Sequence, residues 1–150
     1  MAVTATPYGP FVFGMFSGTD ERRIDWQNDT IKVALLTAAY VPNFDTHGFF
    51  ESVAASELVG VPNYTAGGKE LAEKLESYDA ATNTTRLKAQ TIQWKEVSLE
   101  ARYAVIYKDT GSASTSPLIG LVDFGEVVKA ASGIFKIEWD PTDGVLRGIS

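Results

Sequence analysis

The chain has 150 residues, no cysteine, one histidine and a formal net charge of -6. This length suits one compact domain, and a hydrophobic fraction of 45% is enough for a buried core. The absence of thiols excludes disulfides and thiolate metal sites, and an acidic chain with scattered lysines and arginines argues against nucleic-acid binding. No apolar run in the sequence approaches the ~20 residues that a membrane-spanning helix requires.

Residues 1–23 are interpreted as an N-terminal aromatic arm, followed by a single β-sandwich domain over residues 24–150. The first 19 residues carry no charge. Two interpretations of the arm stay open: it packs into the protein's own core as a first strand or short helix, or it docks on another subunit. Its glycines and prolines disfavour a regular internal strand, which keeps the second interpretation open. The residues expected to contact a partner are Tyr8, Phe11, Phe13, Met15 and Phe16.

Most of the remaining chain alternates apolar and polar residues with a period of two, which is typical of half-buried antiparallel strands. Turn-forming residues separate the runs. The alternation is clearest in TIKVALLT (30–37), ARYAVIYKD (101–109) and GIFKIEWD (133–140), whereas PLIGLVDFG (117–125) is apolar on both faces. The inward-facing residues are expected to be Val33, Leu35, Tyr103, Val105, Phe135, Ile137 and Trp139, with Trp94 in the same core.

Two segments have some helical character. Residues 49–58 place apolar side chains at near-helical spacing, and residues 67–78 have a helix-compatible composition, although we favour strands for the second segment. The predicted fold is therefore all-β, an antiparallel β-sandwich or jelly roll with roughly eight strands and at most one or two short helices.

His47, in the stretch FDTHGFFESV, is the only candidate for histidine chemistry. A metal site would need further ligands, and no second histidine exists to supply one. A general base would need a nucleophile, and the chain has no Gly-x-Ser-x-Gly elbow. A triad assembled from remote residues stays open, but the simpler interpretation is a turn in which Asp45 accepts backbone N–H bonds.

The other candidate motifs also favour structural roles. The stretch NYTAGGKEL (63–71) lacks the spacing of a phosphate loop, and Glu70 would repel a bound anion, so a β-turn that uses glycine at positive φ is predicted. The carboxylate pairs Glu96/Glu100 and Asp140/Asp143 have nothing to place them in a cleft. We therefore expect no enzymatic activity, no cofactor and no metal.

Several segments together resemble a family of small virion-associated proteins that tailed bacteriophages and prophages encode. The resemblance rests on WQNDTIKVALLTAAYVPNFDTHGFFESVAASELVG, YTAGGKEL, ARYAVIYKDTG, SPLIGLVDFG and GIFKIEWDPTDGVL, in this order and spacing. It extends from about Trp26 to Leu146, and residues 1–23 match it less well. The Asp-Thr-His stretch recurs in that family as part of a loop, so its presence here adds no argument for catalysis.

The resemblance implies a virion component that is made in the bacterial cytoplasm. For a small, acidic, cysteine-free β-sandwich, we expect a head decoration or cement protein on the outside of the capsid. Its expected partners are the major capsid protein and copies of itself, with a trimer favoured. A tail, neck or fibre-associated component is the alternative, and a jelly-roll carbohydrate-binding module is a third possibility.

Overall fold

The alternating segments form two β-sheets of mainly antiparallel strands, which confirms the predicted all-β sandwich. The computed structural model describes residues 2–17 and 20–148. In this part of the chain the strands are β1 (Ala2–Val3), β2 (Thr6–Pro7), β3 (Ile31–Leu36), β4 (Lys69–Glu70), β5 (Leu75–Asp79), β6 (Thr84–Lys88), β7 (Ile92–Lys108), β8 (Leu118–Trp139) and β9 (Leu146–Gly148). One α-helix, α1 (Gly9–Phe16), accompanies three 3-10 turns at Asp20–Arg22, Phe50–Ser52 and Ala54–Ser56.

The larger sheet has the strand order β1-β8-β7-β3-β4, and β2 also pairs with β8. The smaller sheet has the order β5-β6-β9. Strands β7 and β8 form a long hairpin whose register shifts at several bulges, and Gly125 and Ser132 have positive φ angles near them. Because bulges bend a strand pair, both ends of the hairpin contribute to the same core.

Two apolar cores cover the two faces of β3 and β7. The main core receives Val33, Leu35, Trp94, Phe135, Ile137 and Trp139, as the alternation predicts. Tyr103 and Val105 are also buried, but they lie in the second core, on the opposite face, where the segment 40–53 covers them. The prediction that these two residues face the same core as the others was wrong. A central strand buries both of its faces, so alternation alone does not identify the face that points into the main core.

The N-terminal residues are part of the sandwich up to Tyr8. Strand β1 pairs in parallel with β8 at Glu138 and Trp139, and β2 pairs antiparallel with β8 at Gly120 and Leu121. The expected arm therefore contains two strands of the larger sheet. The segment 49–58 forms two 3-10 turns instead of one helix, and the segment 67–78 forms β4 and β5, as we favoured.

Candidate functional site

Helix α1 forms although its sequence is poor in helix-forming residues. Pro10 lies in its first turn, where a missing N–H costs nothing, but the helix has no side-chain N-cap and no charge at either end. An isolated helix of eight residues is unstable in water, so its stability comes from packing against the rest of the protein. The Gly9 N–H donates a hydrogen bond to the Phe44 carbonyl at 2.7 Å. Gly14 packs so closely on Arg22 that a Cβ there would lie 2.7 Å from the Arg22 Cβ.

Tyr8 anchors the start of α1 inside the protein. Its side chain is fully buried in the second core, and its hydroxyl lies 2.9 Å from the hydroxyl of Tyr40. The Tyr40 hydroxyl in turn lies 2.8 Å from Nδ1 of His47. Burial raises the pKa of Tyr8, so its hydroxyl stays protonated and hydrogen-bonded at physiological pH. The expectation that Tyr8 contacts a partner is therefore wrong for the folded chain.

The other four predicted contact residues share helix α1 but differ in exposure. Phe11 is partly buried and packs against both cores. Phe13 and Phe16 are 70% and 86% exposed, and Met15 is 38% exposed. The contact of an exposed phenylalanine ring with water is unfavourable, and here two such rings lie on one short helix that is packed firmly on the domain. The outer face of α1 is thus a contiguous apolar surface, which we call the α1 face: Val12, Phe13, Met15 and Phe16.

A groove with a volume of about 710 Å³ separates α1 from the smaller sheet. The helix contributes one wall, and apolar side chains of the other wall are Ile24, Trp26, Leu87 and Leu146. Leu87 and Leu146 are cross-strand partners on β6 and β9, so they lie on one face of the smaller sheet. This wall is not recognisable in the sequence, because its residues are far apart in the chain.

Charged residues of both signs line the groove: Asp25, Glu76 and Arg147. A hydrogen bond from the Asn28 side chain holds the pKa of Asp25 below its ordinary value, so Asp25 is ionised at neutral pH. Glu76 lies on β5 and Arg147 on β9, on either side of β6. The groove therefore combines apolar walls with a rim of mixed charge, as protein–protein contacts commonly do.

His47 lies in a turn, as we expected, but Asp45 does not cap it. The side-chain oxygen of Asn43 accepts the N–H bonds of Asp45 and Thr46 at 3.0 and 3.1 Å. The His47 ring bonds to Tyr40, so its place in the fold is to complete the hydrogen bonds of a buried tyrosine pair.

The Gly67-Gly68 loop is a glycine turn at positive φ, as predicted. The Gly67 N–H donates a 2.7 Å hydrogen bond to the carboxylate of Glu57, which also accepts the Tyr64 hydroxyl at 2.7 Å. Burial raises the pKa of Glu57 despite these two bonds. An internal carboxylate thus takes the position that an anion would need at this amide.

At least one member of each carboxylate pair has a structural partner. Asp140 accepts the N–H groups of Thr142 and Asp143 within its own turn, and Glu100 lies 3.4 Å from the Lys129 ammonium. Over residues 2–17 and 20–148 no group of three or more His, Asp or Glu side chains is arranged to hold a metal ion. None of the helices in the same two ranges is long and apolar enough to cross a membrane.

Comparisons with known proteins assign this chain to no family. The chain matches no protein-family model, no curated protein and no solved structure. The α1 face and the adjoining groove are therefore the features on which a functional proposal can rest.

Proposed function

We propose that the chain is a bacteriophage virion structural protein that decorates the outside of the head and stabilises contacts between major capsid subunits. It acts by binding, without catalysis, and as a homo-oligomer. The observation that carries this proposal is the α1 face, where Phe13 and Phe16 are exposed on a helix that the rest of the fold holds in place. Such a surface on an otherwise ordinary soluble domain is typical of an assembly contact.

The energetics of the α1 face suit a component that is used in many copies. Each large ring buried against a neighbour contributes about 1.5–3 kcal/mol of transfer free energy. A flexible arm would lose part of this gain when it became ordered on binding. Helix α1 avoids most of that cost, because Tyr8 and Gly14 already fix it to the domain.

The tryptophans disfavour the carbohydrate-binding alternative. A sugar-binding platform needs several exposed tryptophan or tyrosine rings. Trp26, Trp94 and Trp139 are all buried, and among the described residues Tyr78 is the one exposed tyrosine. The indole N–H groups of Trp26 and Trp139 donate hydrogen bonds to backbone carbonyls inside the protein. Their aromatic area is used in folding, so an assembly role is better supported than sugar recognition.

Electron microscopy of intact particles, with the copy number measured by quantitative mass spectrometry, tests the proposal. We expect density on the outer surface of the head and hundreds of copies per particle. A few to tens of copies in the tail or neck would contradict the decoration role and favour the alternative virion component.

A matched pair of variants tests the link to the α1 face. We expect Phe13→Asp/Phe16→Asp to abolish incorporation into particles while thermal unfolding stays close to that of the unmodified protein. The control is Val59→Asp, because Val59 is 81% exposed and does not line the groove. Normal incorporation of the α1 variant would show that binding to the particle does not depend on the α1 face.

A further inference from the structure

The groove beside α1 has an apolar floor and an acidic end. Leu146, Leu87 and Glu76 are successive cross-strand partners on β9, β6 and β5, and all three line the groove. They therefore form a row on one face of the smaller sheet. Adjacent strands are about 4.8 Å apart, which places Glu76 one strand from Leu87 and about 10 Å from Leu146. The row runs from a buried apolar side chain to an exposed carboxylate.

The floor of the groove favours an apolar ligand. Its side chains are those of Ile24, Trp26, Leu87 and Leu146. The Trp26 indole N–H already donates a hydrogen bond to the Lys88 carbonyl at 3.0 Å. A polar group placed there would lose its water without gaining a partner from these side chains. An aromatic ring or an alkyl chain gains the transfer free energy of its apolar surface in the same position.

The charge at the open end of the groove is negative. Glu76 and Asp25 both line the groove, and within residues 2–17 and 20–148 no cation lies at ion-pair distance from Glu76. Lys74 partly offsets Asp25, and its ammonium group donates to a backbone carbonyl. Arg147 also lines the groove, but its register belongs to the other face of the sheet and it lies 3.7 Å from Asp143. Glu76 is therefore the carboxylate that a ligand would meet without a counterion.

The size and rigidity of the groove suit a small molecule. Its volume of about 710 Å³ lies in the range of ligand pockets. Trp26 and Leu146 are only 2% and 3% exposed, so they offer small patches that a ring or an alkyl chain can cover. A stable protein–protein contact buries about 1,000 Å² or more. The walls are preformed, because Leu87 and Leu146 belong to paired strands and Tyr8 and Gly14 fix α1, so binding orders little of the protein.

We propose that the groove binds a small organic cation, namely an amine with an aromatic or alkyl body. The apolar body lies between α1 and the side chains of Leu87 and Leu146, and the ammonium group lies beside Glu76. The inference goes beyond the proposed function and does not rest on it, because the ligand binds to the single chain.

Three compounds with one apolar body test the charge preference: 4-phenylbutylamine, 4-phenylbutanol and 4-phenylbutyrate. Each is titrated into the isotope-labelled full chain at neutral pH and low salt, and the amide and indole resonances report the site. We expect shifts at the groove and a dissociation constant of about millimolar order for the amine, given its size. The amine should bind about threefold more tightly than the alcohol and about tenfold more tightly than the carboxylate. The difference should shrink in about 0.5 M salt, because Glu76 is exposed.

A matched pair of variants tests the role of Glu76. Glu76→Gln keeps the size of the side chain and removes its charge, so the preference for the amine over the alcohol should fall below about twofold. The control Glu126→Gln makes the same change in net charge at an exposed position of β8 outside the groove, and should leave the preference unchanged. An equal effect of the two variants would overturn the proposal, because the overall charge of the protein would then select the amine.

A second pair of variants tests the location. Thr85 is exposed and lines the groove, so Thr85→Trp fills the recess and should abolish the shifts that the amine causes. Ser77 is exposed on the neighbouring strand but pairs with Arg86, on the opposite face of the smaller sheet, so Ser77→Trp should bind the amine normally. Thermal unfolding checks that both variants fold. Normal binding of the amine by folded Thr85→Trp would overturn the proposal.

Other outcomes would also overturn the proposal. They are equal affinities for the three compounds, shifts centred outside the groove, and no shift at about 20 mM amine. Groove resonances that shift with protein concentration alone, from about 30 to 300 µM, would show that a second copy covers the groove. The decoration role fails separately, since it is tested on particles: a chain that binds the amine but is missing from particles loses that role and keeps the ligand site.

Discussion

Replacing Gly68 by alanine should destabilise the fold far more than the same change at Gly60. Both glycines have positive φ, +84° and +68°, so both variants carry the left-handed backbone penalty of roughly 1–2 kcal/mol. The surroundings differ. A Cβ at Gly68 would lie 1.9 Å from the carbonyl oxygen of Val33, whereas a Cβ at Gly60 has no atom within 4 Å.

Relief of the clash at Gly68 requires movement of backbone, because the opposing atoms belong to strand β3. Ordinary contact begins at 3.4 Å, so the loop has to retreat from β3. That movement disrupts the pairing of Val33 with Lys69 and the hydrogen bond from the Tyr107 hydroxyl to the Gly67 carbonyl. With about 1 kcal/mol for each hydrogen bond lost, we expect a total cost of about 3–5 kcal/mol.

Urea and thermal unfolding, followed by tryptophan fluorescence and circular dichroism at neutral pH, measure the difference. For a chain of this size about 2–4 °C accompanies each kcal/mol, so the two melting temperatures should differ by roughly 5–10 °C. Equal melting temperatures for Gly68→Ala and Gly60→Ala would refute the reasoning, since the loop would then not be pressed against β3.

Three further predictions concern the core and the buried polar groups. Ile137→Asp places a charge in the main core and should cost several kcal/mol, whereas Ile134→Asp on the same strand is exposed and should melt almost normally. Burial raises the pKa of Glu57, so ionisation of this carboxyl group opposes folding. The melting temperature of the unmodified protein, relative to that of Glu57→Gln, should therefore fall as the pH rises from about 4 to 7. A rise would contradict this. His47→Ala removes the bond to Tyr40 and should cost about 1 kcal/mol without affecting particle incorporation; lost incorporation with an intact fold would contradict a purely structural role.

The strand pattern was predictable because period-two alternation directly reports which side chains leave the solvent. It identified β3 and the two ends of the β7–β8 hairpin, including Phe135 and Ile137. It failed for the face of Tyr103, because residues 103–107 of β7 are all buried, and Arg102 and Lys108 at the two ends of this run indicated the wrong outer face. Alternation is informative where one face meets water and loses this information in a central strand.

The site was only half predictable, for a physical reason. The apolar residues of the N-terminus were visible in the sequence, but Pro10 and Gly14 concealed the helix. Their roles are tertiary: Pro10 occupies a first-turn position, and Gly14 allows the backbone to approach Arg22. The far wall of the groove was not predictable, since Trp26, Leu87 and Leu146 meet only through strand pairing and packing over long separations.

The inner side of helix α1 is required for folding, whereas its outer side is not. Its inner side, with Phe11 and Gly14, holds the helix to the domain, and polar residues on the outer side would leave that anchoring intact. Phe13 and Phe16 therefore contribute little to the stability of the single chain, yet they give it an adhesive surface in water. Positions where a sequence departs from the demands of its own fold are those at which function is expected. The two phenylalanines are such positions, because rings that the monomer leaves in solvent become stabilising only when another surface covers them.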